Sequence, residues 1–227
     1  MSIWFQKTPE PYSPHDATWR QSLHLHLAPM WQQLRRALAE IDGDVIDVGC
    51  GQAPYRPMLS SGVRRYVGVD RSGVPVEGIE LIDGDAHALP VPDKSFDAAV
   101  SFQALEHMER PGACLREMAR VLRPGGRVVV TVPGVWTLHE APRDFWRFTR
   151  YGLLELAREA GLVEVKLTAL GGLWSSLGQM ANLELERNRI GRELIPLVNL
   201  TCRALDRRAR GELVLNWMLE ARRAANG

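Results

Sequence analysis

Five short apolar runs recur along the first half of the chain: Val45–Val48, Arg65–Val69, Ile79–Ile82, Phe96–Ser101 and Arg127–Val132. Most are rich in Val and Ile and lack the polar alternation of a sheet with one wet face. Strands buried on both faces read this way, and such strands belong to parallel sheets covered by helices. Helical segments lie between the runs. The clearest spans residues 111–122, opened by Pro111 and stopped by Arg123-Pro124-Gly125-Gly126. This alternation predicts an α/β fold, a doubly wound Rossmann-like sheet with helices on both faces.

The flanking segments extend that frame. Ser13-Pro14-His15-Asp16 has a Ser cap, a proline for the first helical position and an acid beyond it, and predicts a helix start. Leu23, Leu27, Met30, Trp31, Leu34, Leu38 and Ile41 follow at helical spacing. Pro29 is expected to kink or divide that helix, and Gly43 to stop it. Further on, Thr149 is placed to cap a helix carrying Leu153, Leu156 and Ala160 and ending at Gly161, and Glu164–Leu170 reads as a strand. Residues 173–210 read as two helices, one with Leu173, Leu177 and Met180, the other with Ile190, Leu194, Leu197 and Leu205. Leu213–Leu219 is expected to form a closing strand. The expected organisation is a single domain over 1–227, with an N-terminal helical segment at 14–42 and a core at 43–172. A helical insertion at 173–210 and a closing strand and tail at 211–227 complete it.

Composition narrows the function classes. A formal charge of +1 gives no global argument for nucleic acid or membrane. Between Arg187 and Arg223, nine arginines against four acids leave a local excess of five positive charges. That excess suits an anionic partner or a solvated helix face. Cys50, Cys114 and Cys202 are widely spaced and odd in number, which fits reduced thiols rather than a disulfide framework or zinc site. No apolar run approaches 18 residues and the first residues lack a signal-peptide pattern, so a cytoplasmic protein without a transmembrane segment is expected.

The stretch VIDVGCGQAPY, residues 45–55, carries the strongest local chemistry. A hydrophobic strand runs into Asp47-Val48-Gly49-Cys50-Gly51, where glycines allow a tight turn and close approach to a ligand. A dinucleotide loop would place a third glycine where Pro54 stands. Asp47 repels pyrophosphate and favours an ammonium or sulfonium group. Asp70 ends the second strand, where a carboxylate can accept both hydroxyls of a ribose at roughly 1.5–3 kcal/mol per bond. Asp83-Gly84-Asp85-Ala86 follows the third strand and suits an adenine edge.

Together, VIDVGCG (45–51), YVGVD (66–70), GDAHALPVPDKSFDAAVSFQALEHM (84–108) and REMARVLRPGGRVVVTVP (116–133) resemble the class I S-adenosylmethionine-dependent methyltransferases of the type 11 kind. The resemblance covers roughly residues 40–170. It implies a seven-stranded sheet ordered 3-2-1-4-5-7-6 with strand 7 antiparallel, and S-adenosylmethionine at the carboxyl ends of strands 1 to 4. Carried over by position, Asp47, Gly49, Cys50 and Gly51 flank the methionine part of the cofactor. Asp70, with Arg71 beside it, holds the ribose; Asp85 and Ala86 meet the adenine. The Phe102-Gln103 backbone takes the amino group, and His107 lies near the methionine end. The product would be S-adenosylhomocysteine, and no metal is expected. One departure is visible: Gln52-Ala53-Pro54 follows the loop, with Ala53 small enough to keep it closed.

Methyl transfer is an in-line displacement that depends on holding nucleophile, methyl carbon and sulfur collinear. A base is needed only for a hydroxyl or a protonated amine. His139 is the candidate base and His107 the second choice. His139 opens HEAPRDFWRFTRYG, which resembles a subset of these methyltransferases with an H-x-x-P-x-D-F/Y-x-R-F/Y-T signature. There Asp144 is expected to pair with an arginine, Phe145 and Phe148 to enter the core and Thr149 to cap. Arg143, Trp146 and Tyr151 are the candidate acceptor-binding residues. The expected function is methylation, most simply on oxygen, of a small-molecule or glycan acceptor. The insertion is expected to be an acceptor lid or a homodimer face. Alternatives are a non-catalytic S-adenosylmethionine-binding subunit, an RNA or protein methyltransferase, or, at fold level, a nucleotide-dependent oxidoreductase. The chain lacks a clustered aromatic-basic platform for nucleic acid.

Overall fold

The computed structural model describes residues 17–71, 76–189, 191–207 and 212–225. The helix start expected at Ser13–Asp16 and the helical Ile190 lie outside the described residues. Seven strands form one sheet: β1 (Gly43–Val48), β2 (Val63–Asp70), β3 (Glu80–Asp83), β4 (Phe96–Phe102), β5 (Leu122–Pro133), β6 (Leu162–Leu170) and β7 (Asn216–Arg223). Their order is β3-β2-β1-β4-β5-β7-β6, as expected, with β7 antiparallel to both of its neighbours. The helices are α1 (His24–Leu38), α2 (Pro111–Val121), α3 (Arg150–Glu159), α4 (Leu173–Asn188) and α5 (Ile195–Asp206).

Alternate residues of the central strands point to opposite faces and feed two cores. On one face Val45, Val100, Val129 and Met218 meet Met30, Trp31, Leu34 and Leu38 of α1. On the other, Ile46, Val48, Val67, Val128 and Val130 meet Leu115 and Met118 of α2 and Leu153 and Ala157 of α3. Thr149 caps α3 as expected, its hydroxyl accepting the Gly152 N–H at 3.1 Å.

Three local expectations are corrected. Of the two outcomes expected at Pro29, a kink or a division, division does not occur: α1 runs unbroken from His24 to Leu38. Proline removes one helical bond, and the burial of Leu25, Leu27, Met30 and Trp31 around it holds the helix together. Leu122 passes directly from α2 into β5, and Arg123–Gly126 bulge within the strand, because Phe96 pairs with Leu122 and Ala98 already with Arg127. The closing strand starts at Asn216, not Leu213, and runs through Arg222 and Arg223. Charge is tolerated there because the Arg223 guanidinium donates to the carbonyls of Arg120 and Leu122 at the α2–β5 junction.

The insertion docks through polar groups. Asp206 of α5 accepts the N–H groups of Gly172 and Ser175 on one oxygen (2.9 and 3.0 Å) and of Trp174 on the other (2.8 Å). It thereby satisfies the first orphan donors of α4. The amide of buried Asn199 donates to the carbonyls of Trp19 (2.8 Å) and Gln21 (2.9 Å) and accepts from Asn182 (2.8 Å). Asn199→Ala leaves these groups buried without partners, each worth about 1–3 kcal/mol. The expected outcome is a loss of at least about 2 kcal/mol in urea unfolding, with faster amide exchange around α4. Unchanged unfolding would show that the insertion is held by its apolar contacts alone.

Candidate functional site

A cleft of about 570 Å³ opens at the carboxyl ends of β1, β2 and β4. Among the residues named from the sequence, Asp47, Gly49, Cys50, Gly51, Asp70, Arg71, Ala86, Phe102, Gln103, His107 and Arg143 line it. Asp47, Asp70 and Phe102 stand at the carboxyl ends of β1, β2 and β4, and the others follow strands in the connections. Gly49 sits at φ +74, and a Cβ there would lie 2.6 Å from the Ala104 Cβ, so only glycine fits. Gly51, at φ +51, donates its N–H to Asp70 Oδ2 at 2.9 Å, which fixes that carboxylate at the mouth of the loop. Gln103 also takes a left-handed φ, +49, while its N–H bonds Thr131 O at 2.9 Å. Such conformations in non-glycine residues cluster at ligand sites.

The floor of the cleft is acidic. Asp47 is 2% exposed; Tyr66 donates its hydroxyl to Oδ2, and Oδ1 has no hydrogen-bond partner. Burial raises the Asp47 pKa to about 7, against the Tyr66 bond, and the nearby Asp70 charge adds to the rise. The Cys50 thiol is pushed up to about 12 by burial and by the same two acids, so it is a neutral wall. An uncompensated buried carboxyl beside an open cleft suits a ligand with positive charge. The Gln103 Nε2, also buried and unpartnered, adds a hydrogen-bond donor without a mate.

Asp85 is placed differently from its neighbour. Gly84 and Ala86 form the cleft wall, whereas the Asp85 carboxylate is engaged by Arg71 (2.5 Å) and by the His87 N–H and ring (2.9 and 2.6 Å). The His87 N–H, then its ring and Arg71, hold the Asp85 pKa near 2.

The other wall comes from the segment between β5 and α3. Glu140 and Arg143 line the cleft; His139 does not, but its ring meets that of His107 at 4.8 Å, nearly edge-on. Asp144 organises this segment. Its carboxylate is 1% exposed, takes two bonds from Arg147 (2.7 and 2.8 Å) and accepts the His139 N–H (2.9 Å). Burial acts to raise its pKa, yet these donors hold it near 2. Burial also lowers the His139 pKa, opposed by Asp144. Phe148 enters the core at 6% exposure, but Phe145 stays 45% exposed, contrary to expectation, because its N–H is tied to Glu106 O (2.9 Å) at the surface. Trp146 donates its indole N–H to Met108 O at 2.9 Å. Tyr151 lines a second, separate cleft with Phe148, Leu167 and Trp217.

Sequence reasoning missed Glu106. It is 1% exposed, burial raises its pKa to about 8, and its Oε2 has no hydrogen-bond partner. It stands beside His107 in ALEHM, but nothing in that short polar pair signals burial. Among the described residues, none of the insertion lines this cleft.

A methyltransferase domain is recognised over residues 46–130. The chain is 34% identical over 133 residues to a fatty-acid O-methyltransferase of Mycolicibacterium smegmatis, covering 53% of this chain and 46% of that protein. It is 34% identical over 122 residues to a malonyl-[acyl-carrier protein] O-methyltransferase of Methylococcus capsulatus, covering 49% and 43%. The chain thus spans less than half the length of these relatives. Among solved structures, the [4+2]-cyclase SpnF superposes with a TM-score of 0.59 at 25% identity, over 87% of this chain and 81% of that one. The 1,6-didemethyltoxoflavin-N1-methyltransferase of Burkholderia thailandensis shares the fold, with a TM-score of 0.57 at 17% identity over 91% and 80%. Strand order and the methyltransferase domain recognised over residues 46–130 coincide, and both are features this chain shares with class I S-adenosylmethionine-dependent methyltransferases.

Proposed function

We propose that this protein transfers the methyl group of S-adenosylmethionine to an oxygen of a small-molecule or glycan-type acceptor. The observation that carries the reading is the acidic cleft floor, with Asp47 buried, short of one partner and poised near neutrality. The cofactor supplies an activated methyl group on a sulfonium. Asp47 favours its positive charge, Asp70 takes the ribose hydroxyls, and Ala86 and Gly84 pack the adenine. The Phe102-Gln103 edge meets the amino group. On the acceptor side, Arg143 lines the cleft and Trp146 stands beside it, held on Met108 O. The bond that forms is oxygen to methyl carbon as carbon–sulfur breaks, and a hydroxyl acceptor loses its proton. The paired imidazoles of His107 and His139 are the groups that assist that loss. The two O-methyltransferases among the relatives support an oxygen acceptor.

A cofactor-binding protein without transfer is the second reading, favoured by the cyclase that shares this fold. A labelled-methyl screen against metabolite extracts, read by mass spectrometry, separates the two. Label entering an acceptor supports transfer, and tight cofactor binding with no labelled product favours the second reading.

Asp70→Ala should weaken S-adenosylhomocysteine binding at least tenfold by calorimetry, the loss of one charge-assisted bond. Unchanged affinity would remove Asp70 from the ribose.

Asp47 generates a pH dependence. Its folded pKa of about 7 lies above that of an unfolded aspartate, so the empty protein loses stability as pH rises from about 4 through 7. A cationic ligand prefers the ionised form, so S-adenosylmethionine affinity should rise by up to about tenfold between pH 6 and 8. Asp47→Asn should flatten that rise; a parallel rise in the variant would assign it to the ligand alone.

His107→Ala and His139→Ala should each lower turnover of a hydroxyl acceptor by about a hundredfold or more, with cofactor affinity within a few-fold. Full turnover in either variant would take that residue out of the proton path.

A further inference from the structure

The sequence carries no metal-ligand spacing, yet the fold gathers a donor set on the acceptor side of the cleft. One ligand-type atom from each of Glu106, His107 and His139 lies within 4.8 Å of the other two. Glu106 and His107 follow β4, and His139 comes from the segment after β5. Only the sheet order brings them together.

The surroundings of each donor point the same way. His107 Nδ1 stands 2.7 Å from Arg143 O, a pure acceptor, so Nδ1 carries the hydrogen and Nε2 the lone pair. His139 Nδ1 stands 3.2 Å from both Thr137 O and Asp144 Oδ2. The Arg147 donor at 3.5 Å is more distant, so the two acceptors decide the tautomer and again leave Nε2 bare. A backbone carbonyl behind one imidazole and a carboxylate behind the other is the outer arrangement that orients metal-binding histidines. The third donor is the Glu106 carboxylate, 1% exposed, with an oxygen that no hydrogen bond satisfies. Glu140 Oε2 adds a further oxygen 3.7 Å from His107 Nε2.

We propose that Glu106, His107 and His139 bind a divalent transition-metal ion, Zn²⁺ being the simplest occupant, at the acceptor wall of the cleft. Two imidazoles and one carboxylate suit zinc, iron(II) or cobalt(II), and not the all-oxygen preference of magnesium or calcium. Bonds of about 2.0–2.1 Å at tetrahedral angles put ligand atoms about 3.3 Å apart, so binding draws the donors together by up to about 1.5 Å. Rotation of the Glu106 and His139 side chains supplies that. Three protein ligands leave a coordination position open, and His107 and Glu140 line the cleft, so the open position faces an acceptor oxygen. There the ion would polarise a hydroxyl and ease its proton loss, with the two imidazoles assisting as its ligands rather than as proton acceptors. That role, though not the binding, rests on the O-methylation reading above.

The test is a calorimetric titration of chelator-treated full-length protein with Zn²⁺, with no cofactor or acceptor present. One equivalent should bind. His107→Ala, His139→Ala and Glu106→Gln should each weaken binding at least tenfold, while Cys202→Ser leaves it unchanged. Circular dichroism melting of each variant separates loss of ligand from loss of fold. A second measurement needs no variant: Co²⁺ bound to the wild-type protein should show weak d–d bands without thiolate charge transfer. Absence of saturable Zn²⁺ binding, equal affinity in the three folded variants, or a thiolate spectrum overturns the site. Because binding is read without turnover, its failure leaves the methyl-transfer reading standing. A protein that binds Zn²⁺ but transfers no methyl group overturns that reading and not this one.

Discussion

β1 and β4 lie side by side and run parallel, but the chain leaves their carboxyl ends in opposite directions, toward β2 from one and toward β5 from the other. Between two such connections a crevice remains that neither loop can fill. The floor of the cleft is placed by that divergence. Asp47 and the glycine turn come from one side of the crevice, and Phe102, Gln103 and His107 from the other. Gly49 holds its turn against Ala104 only because it has no side chain, so the two sides touch at their base and open above it. The buried carboxyl of Asp47 lies at that base. Tyr66, reaching across from β2, satisfies one of its oxygens and leaves the other buried without a partner.

The central strands were legible because burial on both faces erases polar alternation. Val45 and Ile46 point to opposite cores, and both must be apolar. Edge strands were less so: β6 mixes buried and exposed residues, and β7 continues through arginines whose guanidinium groups answer backbone carbonyls far away in sequence. The acids at the strand ends were legible by position, since a carboxylate after each of three strands is not a core pattern. Their partners were not. Nothing local says that Tyr66 meets Asp47, that Arg71 and His87 draw Asp85 out of the wall, or that Glu106 is buried. Each depends on a contact between separate elements. Asp144 is the mixed case, since its arginine partner lies one helical turn away and could be anticipated, while its grip on His139 could not.

α1 and the insertion matter to the site at one remove. His26 of α1 is buried, and burial pushes its ring down to about 4, which keeps it neutral. It bonds Asn216 at 2.9 Å and packs on the Trp136 ring at 4.5 Å. Gln179 of α4 accepts the His26 N–H and donates to Ser22 O. The insertion thus braces α1, and α1 braces the segment that carries His139.

That segment is fixed along its length. Arg147 donates to the carbonyls of Trp136 and Thr137, Glu106 O accepts the N–H groups of both Phe145 and Trp146, and Phe148 N–H returns to Pro133 O. A loop so tied has few ways to reshape around a ligand, and Glu140, at φ +51, is held in a strained conformation within it. Its wall therefore presents a preformed shape and charge, because ordering costs have already been met in folding. The floor of the cleft is built from the ends of β1, β2 and β4 and the connections after them. The opposite wall is built from one braced connection between β5 and α3. The same fold is found in a cyclase and an N-methyltransferase, because one sheet can carry different connections beyond its strand ends and fold does not fix function.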